Sequence, residues 1–206
     1  MKHRLLTVLL IISILINCAA IMALMEKKTE KSNDDYGYYG ISSEDVYDAY
    51  ATDQTVKAVQ NLMMSIKPNL NSNAAGALAH SIVLASKKYN VNPKYAALVS
   101  FVESGFDITA ISSKGAKGMF QVMPFNVPNK QIIDFGINST HGVEILKQCL
   151  KVVNNNCLYA YMCYIYGEKG YKLNLDSTDL PPTINRLAVL MSVHNVINCS
   201  EFAYCL

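Results

Sequence analysis

The chain has no tryptophan, and only 17% of its 206 residues are charged. Its formal net charge is +2, too small to build the strongly basic surface that nucleic-acid binding uses, so no nucleic-acid partner is expected. None of its six cysteines forms a Cys-x-x-Cys pair, which argues against a zinc site. Internal repeats, low-complexity tracts, phosphate-binding glycine loops and serine-nucleophile elbows are missing. Neither of the last two motif classes therefore points to a function here.

What is present is apolar: 51% of the residues are hydrophobic, and the length suits one domain. Residues 1–25 read as a targeting segment. Lys2, His3 and Arg4 precede a mostly apolar run from Leu5 to Met25. Signal peptides carry an apolar core of ~7–15 residues and spanning helices need ~20, so the run fits an anchor better. The small residues Cys18-Ala19-Ala20 also offer a cleavage site. Basic residues ahead of the run put the body of the protein outside the cytoplasm, as an inner-membrane-anchored or secreted periplasmic domain. Residues 26–43, polar and mixed in charge, read as a linker. Residues 44–206 form the domain.

Five cysteines lie beyond the apolar run: Cys149, Cys157, Cys163, Cys199 and Cys205. An oxidising compartment permits bridges. Cys199 and Cys205 are spaced to close a short loop, whereas Cys157 and Cys163 on a helix point to different sides and should not pair. The odd count leaves a free thiol.

Apolar spacing predicts an all-α fold. One helix spans Ser43 to Lys67, with Val46, Tyr50, Val59, Met63 and Ile66 as its stripe. A second, capped by Ser72 or Asn73, runs to about Asn90 and carries an isolated His80 that reads as structural. Asn92 caps a third with Pro93 at its first position, and Leu98, Val99 and Val102 give it one buried face. Asn138 to Val153 forms a fourth helix. Residues 157–167, CLYAYMCYIYG, form a buried fifth whose tyrosine hydroxyls need partners. Glu168 to Pro182 reads as a loop, and Thr183 caps a last helix reaching about Ile197.

Glu103 closes the third helix among Phe101, Val102 and Phe106. A carboxyl in apolar surroundings is poorly solvated when ionised, its pKa rises, and it can then donate a proton near neutral pH. The alternative is a helix-terminal Glu facing water. Asp107, four residues on, is either a second carboxylate or a turn-forming cap, and its context favours the cap. Gly115-Ala116-Lys117-Gly118 permits tight turns, and Gln121 is an isolated amide in an apolar run that must find partners.

Glu103-Ser104-Gly105-Phe106, followed by Ser112 and Gly115-Ala116-Lys117-Gly118-Met119-Phe120-Gln121-Val122-Met123-Pro124, resembles the first two motifs of the soluble-type lytic transglycosylases. The family pattern is Glu-Ser-x-Phe, then Ser-x-x-Gly-Ala-x-Gly-Leu-Met-Gln-x-Met-Pro. Asn138, Gly142, Leu146 and Leu150 match the family's next helix. Leu158, Ala160 and Tyr161 match a third motif, Leu-Ala-Ala-Tyr-Asn-Ala-Gly, in which Met162 and Tyr164 depart from Asn and Gly. The resemblance covers residues 74–167. It implies a compact lysozyme-like helical domain of the goose type that acts on the glycan strands of peptidoglycan.

The same resemblance implies non-hydrolytic cleavage of the β-1,4 bond between N-acetylmuramic acid and N-acetylglucosamine, leaving a 1,6-anhydro ring. Glu103 is then the acid and base, and Tyr161 hydrogen-bonds it. Gln121 positions sugar, Ser112 and Gly118 shape the groove, and no metal or organic cofactor is implied. A hydrolytic muramidase on the same fold and a non-catalytic glycan-binding or assembly protein are the rival readings. An envelope-spanning secretion, conjugation or phage machine is a compatible setting.

Overall fold

The computed structural model describes residues 43–126, 134–174 and 181–200. The apolar run, most of the linker, Pro128 and Cys205 lie outside the described residues. Among the described residues the regular structure is helical: α1 (Ser43–Ile66), α2 (Ser72–Tyr89), α3 (Pro93–Ser104), α4 (Phe135–Val152), α5 (Cys157–Asn174) and α6 (Pro182–Val193). A single 3-10 turn occupies Pro124–Asn126. No described helix is long and apolar enough to cross a membrane.

α3 is the centre of the molecule. Its sequence, PKYAALVSFVES, is apolar or small almost throughout. Such a helix gains nothing from a solvent face. Tyr95, Ala96, Ala97, Leu98, Val99, Ser100 and Val102 are all buried. The expectation of one buried face therefore understates the packing, because alanine and serine let neighbours approach from the remaining sides. α1, α2 and α6 all pack against α3, while α4 packs on α2 and α5. Asn92 caps α3 as expected, accepting from the N–H groups of Lys94 and Tyr95. The buried Tyr95 hydroxyl donates to the Cys157 carbonyl at 2.8 Å, which ties α3 to the start of α5.

Three local expectations are corrected. The cap of α2 is Asn71, whose side chain accepts from Asn73 and Ala74 N–H, rather than Ser72 or Asn73. Helix α5 does not end at Gly167. The chain kinks there, at φ 69° and ψ 167°, and resumes to Asn174, so part of the predicted loop is helical. α6 begins at Pro182 with no side-chain cap, because the proline supplies the preset φ of a first turn and Thr183 lies inside the helix.

The cysteines bridge across elements. Cys149 on α4 is bonded to Cys163 on α5, and Cys157 at the start of α5 to Cys199 after α6. Cys199 is thus committed to Cys157, which overturns the short loop with Cys205. The geometric reason is the approach of the C-terminal segment to α3: Asn92 N–H donates to the Cys199 carbonyl, and the Asn92 side chain to Asn198. Cys157 and Cys163 take separate partners, as their positions on one helix require.

Candidate active site

The end of α3 is fixed before any chemistry is considered. Gly105 stops the helix in the left-handed conformation, and its N–H returns to the Phe101 carbonyl at 2.8 Å. The Gly105 carbonyl accepts from Lys67 Nζ at 2.7 Å. Ser104 turns inward, and its hydroxyl donates to the Met119 carbonyl at 2.9 Å while accepting from Asp107 N–H. Glu103 is therefore held on the last turn of a buried helix, beside the loop that carries the second motif.

Glu103 is largely shielded from water. Burial pushes its carboxyl pKa up from 4.5 to about 6, and a hydrogen bond from Tyr161 offsets part of the rise. Tyr161 on α5 is 1% exposed. Burial and the neighbouring Glu103 carboxylate hold its own pKa well above the usual phenol value, so it stays a neutral donor. Thr183 on α6 hydrogen-bonds the Tyr161 oxygen in turn. The result is a polar chain from α6 through α5 to the end of α3. Sequence reasoning joined Glu103 to Tyr161 but did not find Thr183, which it placed as a helix cap.

The loop from residue 110 to 123 is held by backbone bonds within itself, supplemented by the side chains of Ser112 and Gln121. Ser112 Oγ accepts from Ala116 N–H at 3.0 Å, while Ser112 N–H donates to the Ala116 carbonyl. Lys117 pairs with Val122 through two backbone bonds of 3.0 and 2.9 Å. Gln121 adopts φ 50°, and its Nε2 donates to the carbonyls of Gly118 at 2.8 Å and Ala110 at 3.2 Å. Ser112, Gly118 and Gln121 are thus brought into one loop, and that loop reaches α3 through Ser104. The partners that the isolated amide of Gln121 required are loop carbonyls, on its nitrogen side.

Asn138, whose role the sequence did not disclose, is the loop's outer anchor. It is 1% exposed on α4; its Oδ1 accepts from Phe120 N–H and its Nδ2 donates to the Lys117 carbonyl, both at 2.9 Å. The tight contact expected at Gly142 is with Phe120. A Cβ at residue 142 would lie 2.5 Å from the Phe120 Cβ. Met162, at the departure in the third motif, is 2% exposed and belongs to the core.

Asp107 faces solvent. Its Oδ1 accepts from the Thr109 hydroxyl at 2.7 Å and from Thr109 N–H at 2.8 Å, and these bonds lower its pKa. This is the turn-forming cap. Among the described residues no group of three or more His, Cys, Asp or Glu side chains is placed to hold a metal ion. A cleft of about 370 Å³ opens between α4 and α5 beside Met123 and Phe125; Tyr164 lines it and Glu103 does not.

Residues 80–181 match the family model of the Transglycosylase SLT domain. The chain carries an SLT domain. The match spans α3, the loop, and Tyr161 and Tyr164 of α5, so every residue assembled above except Lys67 and Thr183 falls within it. An SLT domain is of the lytic transglycosylase type, which acts on peptidoglycan glycan, and the all-helical architecture agrees with a lysozyme-like fold. No solved structure matches the chain.

Proposed function

We propose that this SLT domain cleaves the β-1,4 bond between N-acetylmuramic acid and N-acetylglucosamine, with Glu103 serving first as acid and then as base. One observation carries the reading: a carboxyl raised to about 6 by burial and held by a neutral phenol. Such a group is partly protonated near neutral pH and can give its proton to the glycosidic oxygen as the C1–O bond breaks. Tyr161 then donates to the carboxylate that forms. The carboxylate next removes the proton of the muramic acid C6 hydroxyl, whose oxygen bonds to C1. Glu103 is protonated again, and no water is consumed.

Intramolecular attack is favoured by its effective concentration, which for well-oriented groups reaches about 10⁵–10⁸ M. Two-carboxylate hydrolysis needs a second acid across the bond. Asp107, the nearest in sequence, is exposed and occupied by Thr109, which favours the single-acid route. The loop containing Ser112, Gly118 and Gln121 forms the rim beside Glu103, with the Gln121 amide oxygen offered to a sugar hydroxyl. Two disulfides suit an oxidising compartment, and the apolar N-terminal run suits a body outside the cytoplasm.

The test is digestion of purified peptidoglycan by the full chain, with mass analysis of the released sugars. Products carrying 1,6-anhydro-muramic acid, one water lighter than hydrolysed ones, are expected. Exclusively reducing-end muramic acid would make the protein a muramidase. Binding without any release would make it a glycan-binding protein.

A further inference from the structure

Tyr164 lies one helical turn beyond Tyr161 on α5, so both rings project from the same face. The rings stack, with centroids 6.4 Å apart and planes 22° from parallel. The Tyr164 hydroxyl donates to the Phe120 carbonyl at 2.5 Å. Phe120 N–H is already held by Asn138. Both polar backbone groups of Phe120 are therefore bound by side chains from different helices, α4 on one side and α5 on the other. The next residue is Gln121, in its left-handed conformation. Tyr164 touches both halves of the site: the ring backs the phenol that bonds Glu103, and the hydroxyl pins the loop that carries Gln121.

We propose that Tyr164 is a positioning residue for this site, joining the Tyr161–Glu103 pair to the Gln121 loop through its stacked ring and its bond to the Phe120 carbonyl. The inference rests on the reading of Glu103 as the acid. Its two arms act separately. The ring limits the swing of Tyr161 and so keeps the Tyr161 hydroxyl on Glu103. The hydroxyl fixes the loop rim that a glycan must meet. At this position a small residue would leave both arms unsupported, and a phenylalanine would keep only the first.

Two variants of the full chain separate the arms. Tyr164→Phe retains the stack and leaves the Phe120 carbonyl unpaired. It should raise KM for soluble glycan strands about tenfold, with the pH profile unmoved. Tyr164→Leu removes both arms. It should also lower kcat and move the Glu103 limb of the kcat/KM profile to higher pH, because the bond that holds the carboxyl pKa down is loosened. Should the Leu variant fail to fold, the Phe variant decides alone. KM and kcat within twofold of wild type, or a loss matching only a smaller folded fraction, overturn the proposal. Glu103→Gln run in parallel keeps the two questions apart: a fully active Gln variant sinks the reading of Glu103 itself.

Discussion

Gly118 and Asn138 occupy one another's space. Gly118 has φ 73°, and a Cβ there would lie 2.5 Å from Asn138 Nδ2. The loop can close on α4 only because residue 118 has no side chain, and Asn138 uses the room to bond Lys117 and Phe120.

Gly118→Ala should therefore destabilise the domain. A left-handed non-glycine residue costs about 1–2 kcal/mol before the collision with Asn138 is counted. For a chain of this size that is a fall of about 2–8 °C in Tm. In an Asn138→Ala background the added cost should shrink, since the atom being struck is gone. Equal penalties in both backgrounds, measured by thermal unfolding, would show that the contact does not matter.

Glu103→Gln should abolish glycan cleavage with the fold intact. Glutamine keeps the shape but cannot cycle a proton, and loss of acid–base catalysis lowers rates about 10²–10⁴-fold. Release of soluble muropeptides, alongside circular dichroism, measures both quantities. Activity within a few-fold of wild type would remove Glu103 from the chemistry.

The pH dependence follows from the raised pKa, with an opposite meaning for activity and stability than a surface carboxylate would give. The protonated form is favoured in the folded state, so its contribution to stability is complete below about 4.5 and is lost as pH rises through about 6. The shift corresponds to about 2 kcal/mol. Chemical denaturation of wild type and Glu103→Gln should show the variant gaining relative stability between about pH 4.5 and 6 and keeping it above. The kcat/KM of the wild type should fall as pH rises past about 6 and the acid is lost. A flat difference between pH 4 and 8 would contradict the burial of this carboxyl.

The bridge between Cys149 and Cys163 closes a loop of 14 residues in sequence separation. Chain entropy assigns such a loop about 3 kcal/mol. Replacing both cysteines with alanine should lower stability by that order and loosen α5 near Tyr161. Non-reducing peptide mapping should recover the pairs 149–163 and 157–199. Recovery of a 199–205 peptide instead would refute the bridge between Cys157 and Cys199.

Much of the site could be read from local signals. Asn92 and Pro93 announce α3, the apolar run places Glu103 at its end, and the glycines mark the loop. These depend on neighbours a few residues away. Tyr164, Thr183 and the disulfide partners depend on which helices meet, and no spacing rule encodes that. Tyr164 was visible only as a departure from a family glycine; its bond to Phe120 crosses 44 residues. The helix beyond Gly167 was missed for a different reason, since one glycine with positive φ both kinks a helix and ends one.

Lys67 reaches the end of α3 from outside the matched domain. Its ammonium caps the Gly105 carbonyl two residues beyond Glu103, and Val59 and Met63 of α1, the helix that ends just before it, lie wholly within the core. The smallest independently folding piece is therefore larger than the stretch recognisable by descent. A fragment trimmed to residue 80 would expose the flank of α3 and release the tether on its last turn. Anyone dissecting this domain should place the cut before Ser43.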